Sequence, residues 1–211
     1  ALAAAVAAPL ALAACGGSAP DDRASGATTR QKTVTPAPRR VGDIRLTDVA
    51  GARPVRRALR ARTGGVLVVF FGYASCPDVC PTTLARVASA VRRLGRDARR
   101  VEVALITVDP ARDTPRVLAG YGRTWFTRGF VALRPATPGE LARTERAFGA
   151  AHRRVPDGHG GHAIVHSAQV YAVDADGRVT TTWRAGAGVA ALRAGLARLL
   201  DSDTSTGRGP A

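Results

Sequence analysis

A chain of 211 residues is long enough for one ordinary domain with a sizeable core and too short for two comfortable ones. It carries 31 basic against 16 acidic residues, a formal net charge of +15, and Lys32 is the only lysine. The arginines are scattered, with short clusters at Arg56-Arg57, Arg92-Arg93 and Arg99-Arg100 and no interleaved aromatics. No nucleic-acid module is recognisable, so a nucleic-acid partner is excluded in favour of an Arg-, Ala- and Gly-rich composition, with at most an attraction to anionic lipid headgroups.

Ala1 to Ala14 is an apolar run too short to span a bilayer as a mature helix. It reads as the core of a secretory signal, truncated at its start, since the chain contains no Met. The run ends Leu12-Ala13-Ala14-Cys15-Gly16, a bacterial lipobox in form, so residues 1–14 are expected to be removed and Cys15 to be lipidated. Each buried methylene of such a lipid adds about 0.8 kcal/mol of membrane affinity. Residues 15–40 are rich in Ser, Thr, Pro, Gly and charge, and read as a flexible tether. Residues 41–201 form the expected domain, and 202–211 a disordered tail.

Within the domain, Ile44 to Val55 alternates loosely and predicts a hairpin. Val66 to Gly72 is a continuous β-branched and aromatic run, the pattern of a strand buried on both faces, and Val101 to Val108 is a second. Between them, Leu84, Val87, Ala88, Val91 and Leu94 recur at helical spacing over Pro81 to Leu94. Helices follow from Thr114 and from Thr137, each opened by Thr-Pro, with a short strand at Phe130 to Leu133. Ser167 to Trp183 predicts a hairpin turning at Asp174-Ala175-Asp176-Gly177, and Gly188 to Leu200 a closing amphipathic helix. Strands interleaved with helices in this order predict a three-layer α/β domain.

With Cys15 spent on lipid, Cys76 and Cys80 remain as a pair in an oxidising compartment. They lie between the first buried strand and the first helix, in Cys76-Pro77-Asp78-Val79-Cys80-Pro81, where the helix N-terminus favours thiolate. Four residues apart on a helical turn, they share one face and can point both sulfurs at one ion or close a disulfide. A soft thiolate pair selects Cu(I), and an imidazole can complete the site. A purely structural disulfide would close a very small loop and remove little chain entropy.

The Cys76 to Pro81 segment resembles the copper motif of the Sco/SenC family of copper chaperones. Thr107-Val108-Asp109-Pro110-Ala111-Arg112-Asp113-Thr114-Pro115 and His166-Ser167 are similar to that family's later signatures, in the same order. The resemblance spans roughly Val41 to Leu200. It implies a thioredoxin-like fold and copper, as Cu(I) and also Cu(II), held by Cys76, Cys80 and His166. It further implies delivery of copper to, or reduction of the thiols of, the dinuclear copper centre of cytochrome c oxidase, with that enzyme's copper-bearing subunit or another copper protein as partner. Together with the lipobox, it places the protein on the extracytoplasmic face of a bacterial membrane. The family often has an acidic residue just before the histidine, where this chain has Val165.

His159 and His162, in Asp157-Gly158-His159-Gly160-Gly161-His162, compete as copper-gathering residues on what reads as a solvated glycine-rich loop. His152 reads as a surface residue; Asp109, Arg112 and Asp113 as residues that cap the next helix and brace the site loop; Tyr73, Trp125 and Trp183 as core or rim aromatics. The competing function is an enzyme, a thiol–disulfide oxidoreductase using Cys76 and Cys80, although three intervening residues rather than two set the pair apart from the usual thioredoxin arrangement.

Overall fold

The computed structural model describes residues 39–158 and 161–206, with side chains as far as Ser202. The expected signal, Cys15, most of the expected tether, His159 and the end of the tail lie outside the described residues. Strands β1 (Arg39–Arg40), β2 (Arg45–Asp48), β3 (Val55–Ala58) and β4 (Val66–Gly72) lead into helix α1 (Val79–Arg92) and a 3-10 helix at Gly95–Arg100. Then come β5 (Val101–Thr107), α2 (Pro115–Trp125), β6 (Phe130–Arg134) and α3 (Pro138–Phe148). The chain continues through β7 (His152–Pro156), β8 (His162–His166), β9 (Val170–Val173), β10 (Arg178–Trp183) and α4 (Val189–Thr206).

The main sheet has eight strands in the order β1-β10-β9-β4-β5-β6-β2-β3. β4, β5 and β6 are parallel at its centre, and the flanking pairs are antiparallel. Every residue of β4 and of β5 is buried, which requires cover on both faces, as their unbroken apolar runs predict. Phe70 and Phe71 show how that cover is divided. Phe71 meets Phe148 of α3 and Tyr171 edge-on, while Phe70 faces the side on which α1 lies. α4 packs beside α1.

Local chemistry sets the element ends. The Thr114 hydroxyl accepts from the Val117 N–H at 3.3 Å and Pro115 opens α2; Thr137 and Pro138 do the same for α3, with Glu140 N–H as donor at 3.1 Å. Thr114 is thus the cap of α2, as its Thr-Pro opening predicts, so the capping also expected of Asp113 and its neighbours does not fall to them. In the β9–β10 turn the Asp174 carboxylate accepts from the Arg178 N–H at 2.8 Å, and Gly177 takes φ 75°.

Four differences from the sequence reading stand out. The sheet starts at Arg39, inside the expected tether, because β1 finds an open edge on β10. α4 runs to Thr206, into the expected tail. The first hairpin lies later than predicted, its second strand at Val55–Ala58. Most consequentially, β7 and β8 lie on either side of the expected glycine-rich loop and pair as a separate two-stranded sheet that the sequence reading did not predict, with His152 opposite His166. No helix among the described residues is long and apolar enough to cross a membrane.

A Cβ at Gly177 would lie 2.3 Å from the Gly42 Cα, and the residue already sits in the left-handed region. Gly177→Ala is therefore expected to cost about 1–3 kcal/mol, read as a lowered urea midpoint, while leaving the distant cysteine pair's chemistry unchanged.

Candidate metal centre

β4 delivers its C-terminal end, Gly72, to the loop carrying Tyr73 and Cys76, and the first turn of α1 carries Cys80. The loop is folded so that the Cys76 sulfur accepts from the Cys80 backbone N–H at 3.4 Å. That sulfur takes an N–H that a side-chain oxygen would ordinarily cap, and the Asp78 side chain makes no cap bond to the helix backbone. Cys80 is buried and Cys76 half-buried, and neither is in a disulfide.

The third group arrives from 86 residues away: His166 Nε2 lies 3.3 Å from Cys80 Sγ. The Nδ1 of the same ring is 3.0 Å from the Ser167 carbonyl oxygen, which can only accept. Nδ1 is accordingly assigned the proton, leaving the Nε2 lone pair facing the sulfurs. Phe70 and Tyr73 meet the imidazole edge-on, with centroids 5.9 and 5.8 Å away, and fix the ring plane. The ligand atoms of Cys76, Cys80 and His166 all lie within 4.8 Å of one another, the one such group of three or more among the described residues.

β8 alternates. Ile164 is buried at 5% and Val165 is 54% exposed, so His166 returns to the inward side with Ile164. With valine at position 165 no carboxylate stands there; the Ser167 carbonyl orients the ring instead. The β7–β8 hairpin is tied to the body through Arg112. Its guanidinium pairs with the buried Asp109, donates to the His162 carbonyl at 3.1 Å and lies 5.7 Å over the Tyr73 ring. Arg154 of β7 approaches the other Asp109 oxygen at 3.6 Å. Asp113, also buried, accepts from the Ala74 N–H at 3.2 Å and from the Thr107 hydroxyl at 2.5 Å, holding the cysteine loop against β5. Burial pushes its carboxyl up from the usual aspartate value, against these two hydrogen bonds. The expected bracing by Asp109, Arg112 and Asp113 is thus realised.

The two other described histidines do not join the cluster. His162 lies on β8, not on a loop, and its Nε2 is buried without a hydrogen-bond partner. His152 is half-buried, its Nδ1 2.6 Å from Glu145 Oε1, so it is a paired rather than a plain surface residue. Trp183 is in the core, Trp125 is half-buried, and Tyr73 walls the site.

Two contributors were not read from the sequence. A Cβ at Gly72 would lie 2.9 Å from Cys80 Sγ, so glycine makes room for the sulfur. Ser167 supplies the carbonyl just described. The Gly-Tyr ending of an otherwise β-branched strand was the available signal for the first; a backbone acceptor leaves none. A mostly apolar cavity of about 320 Å³ opens onto Cys76 and His166 between Val79 and Val165, both exposed.

The two thiols are strongly unequal. The hydrogen bond from the Cys80 thiol holds the Cys76 pKa far below the usual thiol range, and the His166 ring and the backbone N–H groups of Cys80 and Asp78 add to it against the cost of partial burial. The same hydrogen bond, with burial, pushes Cys80 up. The pair is therefore one accessible thiolate beside one protected thiol.

Comparison with known proteins agrees with this fold. The SCO1/SenC family model matches residues 33–201. A putative copper-binding protein of Stutzerimonas stutzeri is 32% identical over 137 residues, 64% of this chain and 66% of that protein. Protein SenC of Rhodobacter capsulatus is 35% identical over 107 residues, 51% of this chain and 48% of that one. This chain thus spans about half to just under two thirds of the length of these curated relatives. The structure of Bradyrhizobium japonicum ScoI with copper bound superposes with a TM-score of 0.62 at 31% identity, covering 78% of this chain and 99% of that one. The fold is accordingly the thioredoxin-like α/β domain that the sequence implied.

Two outcomes follow from the geometry. Iodoacetamide should label Cys76 at a nearly constant rate between about pH 5 and pH 8, where an ordinary thiol of pKa about 8.5 would speed up about tenfold per unit, and Cys80 should stay unlabelled. A rate that climbs with pH would show that the thiolate is not stabilised. Gly72→Ala should displace the Cys80 sulfur and weaken metal uptake roughly tenfold or more, the scale of a misoriented ligand, with the circular dichroism spectrum preserved.

Proposed function

This chain belongs to the SCO1/SenC family, and from that premise we propose that it is a copper chaperone holding one copper ion on Cys76, Cys80 and His166. The observation that carries the reading is the convergence of two sulfurs and an imidazole nitrogen, from segments 86 residues apart, within 4.8 Å. Two soft donors with one borderline donor suit Cu(I) and also accept Cu(II), and three donors leave room for an incoming ligand. The donor set fits the ion: one sulfur is already an accessible thiolate, and the imidazole lone pair faces inward. The copper-binding relative and the copper-bound ScoI structure support the same choice of metal.

Copper here is cargo. Cys76, half-buried at the mouth of an apolar cavity, is the donor an incoming thiolate can displace, while buried Cys80, with His166 held beside it, retains the ion until last. The recipient we infer is the copper-bearing subunit of cytochrome c oxidase or another copper protein with its own cysteines. The lipobox at Cys15 supports a lipid-anchored protein on the extracytoplasmic face of a bacterial membrane, with 1–14 removed and the copper-binding domain following a tether.

A second reading has an observation of its own. A low-pKa, accessible Cys76 next to a protected Cys80 is also what a thiol–disulfide oxidoreductase uses: the first attacks, the second resolves. Ring orientation by Ser167 and the aromatic clamp on His166 have no use in that chemistry, which favours the chaperone.

Copper titration of the reduced chain should saturate at one ion, with two sulfur and one nitrogen scatterer in X-ray absorption. His166→Ala should weaken copper by more than the roughly 10–100-fold typical of losing an outer hydrogen-bonding partner, yet leave the rate of disulfide exchange unchanged. Slowed exchange with unchanged copper affinity would transfer the assignment to the oxidoreductase.

A further inference from the structure

A larger cavity, about 500 Å³, lies at the other end of the central strands from the copper site. Its wall includes Val101 and Val103 of β5, whereas the cysteines sit beyond Gly72, which pairs with Thr107. Val101 and Thr107 are six residue steps apart along the strand, about 20 Å at strand rise. The volume is in the range of small-molecule sites.

Its composition is divided. The floor is apolar, built from Val91, Val103, Trp125 and Phe126. The rim holds Arg92, Arg96, Arg99 and Arg128, all exposed. None of these four is in an ion pair among the described residues. The single acid of the neighbouring turn, Asp97, is taken by Arg100 at 3.4 Å. Arg100 itself is further committed to the carbonyls of Gly64 and Leu200. Four like charges gathered around one apolar mouth repel one another unless an anion stands between them. Guanidinium groups grip phosphate and carboxylate in bidentate fashion, and their stems can line an apolar chain.

We propose that this cavity binds an amphiphilic anion: a single acyl chain on the apolar floor, with its carboxylate or phosphate head among the four arginines. Either a free fatty acid or the chain of an anionic membrane lipid supplies that chemistry. The site is independent of the copper reading, because it shares no residue with it.

Trp125 lines the cavity and reports on it, and the chain has only one other tryptophan, Trp183. The test titrates the full chain, read by tryptophan emission and by calorimetry, with laurate, dodecyl phosphate, and phosphatidylglycerol vesicles. Inorganic phosphate and dodecanol serve as head alone and tail alone. The expected result is a saturable emission change at one amphiphile per chain, absent in Trp125→Phe, with neither head nor tail alone reproducing it. Arg96→Glu with Arg99→Glu should weaken binding by about tenfold or more. Ala98→Phe, which fills the cavity, should abolish it; Thr127→Phe fills the same space from an exposed position if the first variant folds poorly. Copper stoichiometry should be unchanged in all of them. A response confined to vesicles, lost on both charge reversal and filling, assigns the chain to a membrane lipid and supports the site. No response to any amphiphile, an equal response to phosphate or to dodecanol, or binding that survives cavity filling overturns the proposal.

Discussion

The 3.3 Å approach of the His166 imidazole to the Cys80 sulfur is the contact around which the rest of the molecule is arranged. Cys80 reaches that point because β4 ends in a glycine whose missing side chain leaves space for sulfur, and because α1 starts at once after the loop. His166 reaches it because β8 is the inner edge of a small hairpin pinned by Arg112, Arg154 and the buried Asp109. Neither group has a local reason to meet the other. The buried acid supplies one, since each arginine must come to it and each brings a different segment along.

Placement at the C-terminal end of a parallel strand, before a helix N-terminus, gives the site its electrostatics. The Cys80 N–H and the Cys80 thiol both point at Cys76, so negative charge collects on the more exposed sulfur. The two sulfurs are thereby unequal, one reachable from the cavity and one buried. Exposed Val79 and Val165 flank the mouth of the cavity, beside the exposed Asp78.

The large positive charge is unevenly used. Arg57 and Arg62 neutralise the buried Glu102, Arg56 pairs with Glu140, and Arg112 and Arg154 serve Asp109. These arginines are structural. Those around the second cavity are in no ion pair among the described residues, so an excess that reads as a matter of overall composition is gathered in one place.

Much of the framework was legible from the residues. Unbroken β-branched runs at Val66–Gly72 and Val101–Thr107 can only be strands covered on both faces, and Thr-Pro pairs mark helix starts because hydroxyl cap and fixed φ act within one turn. These are short-range effects, and sequence by itself determined them, along with the spacing that puts Cys76 and Cys80 on one turn. The β7–β8 hairpin escaped because His152–Pro156 and His162–His166 carry too much polarity for a clear alternation, and their pairing is held by Asp109 and Tyr73, far away in the chain. The resemblance had already named His166; only the tertiary structure decided that its imidazole reaches the sulfurs, that Ser167 orients the ring, and which arginines remain unpaired, because each depends on what another segment places within a few ångströms.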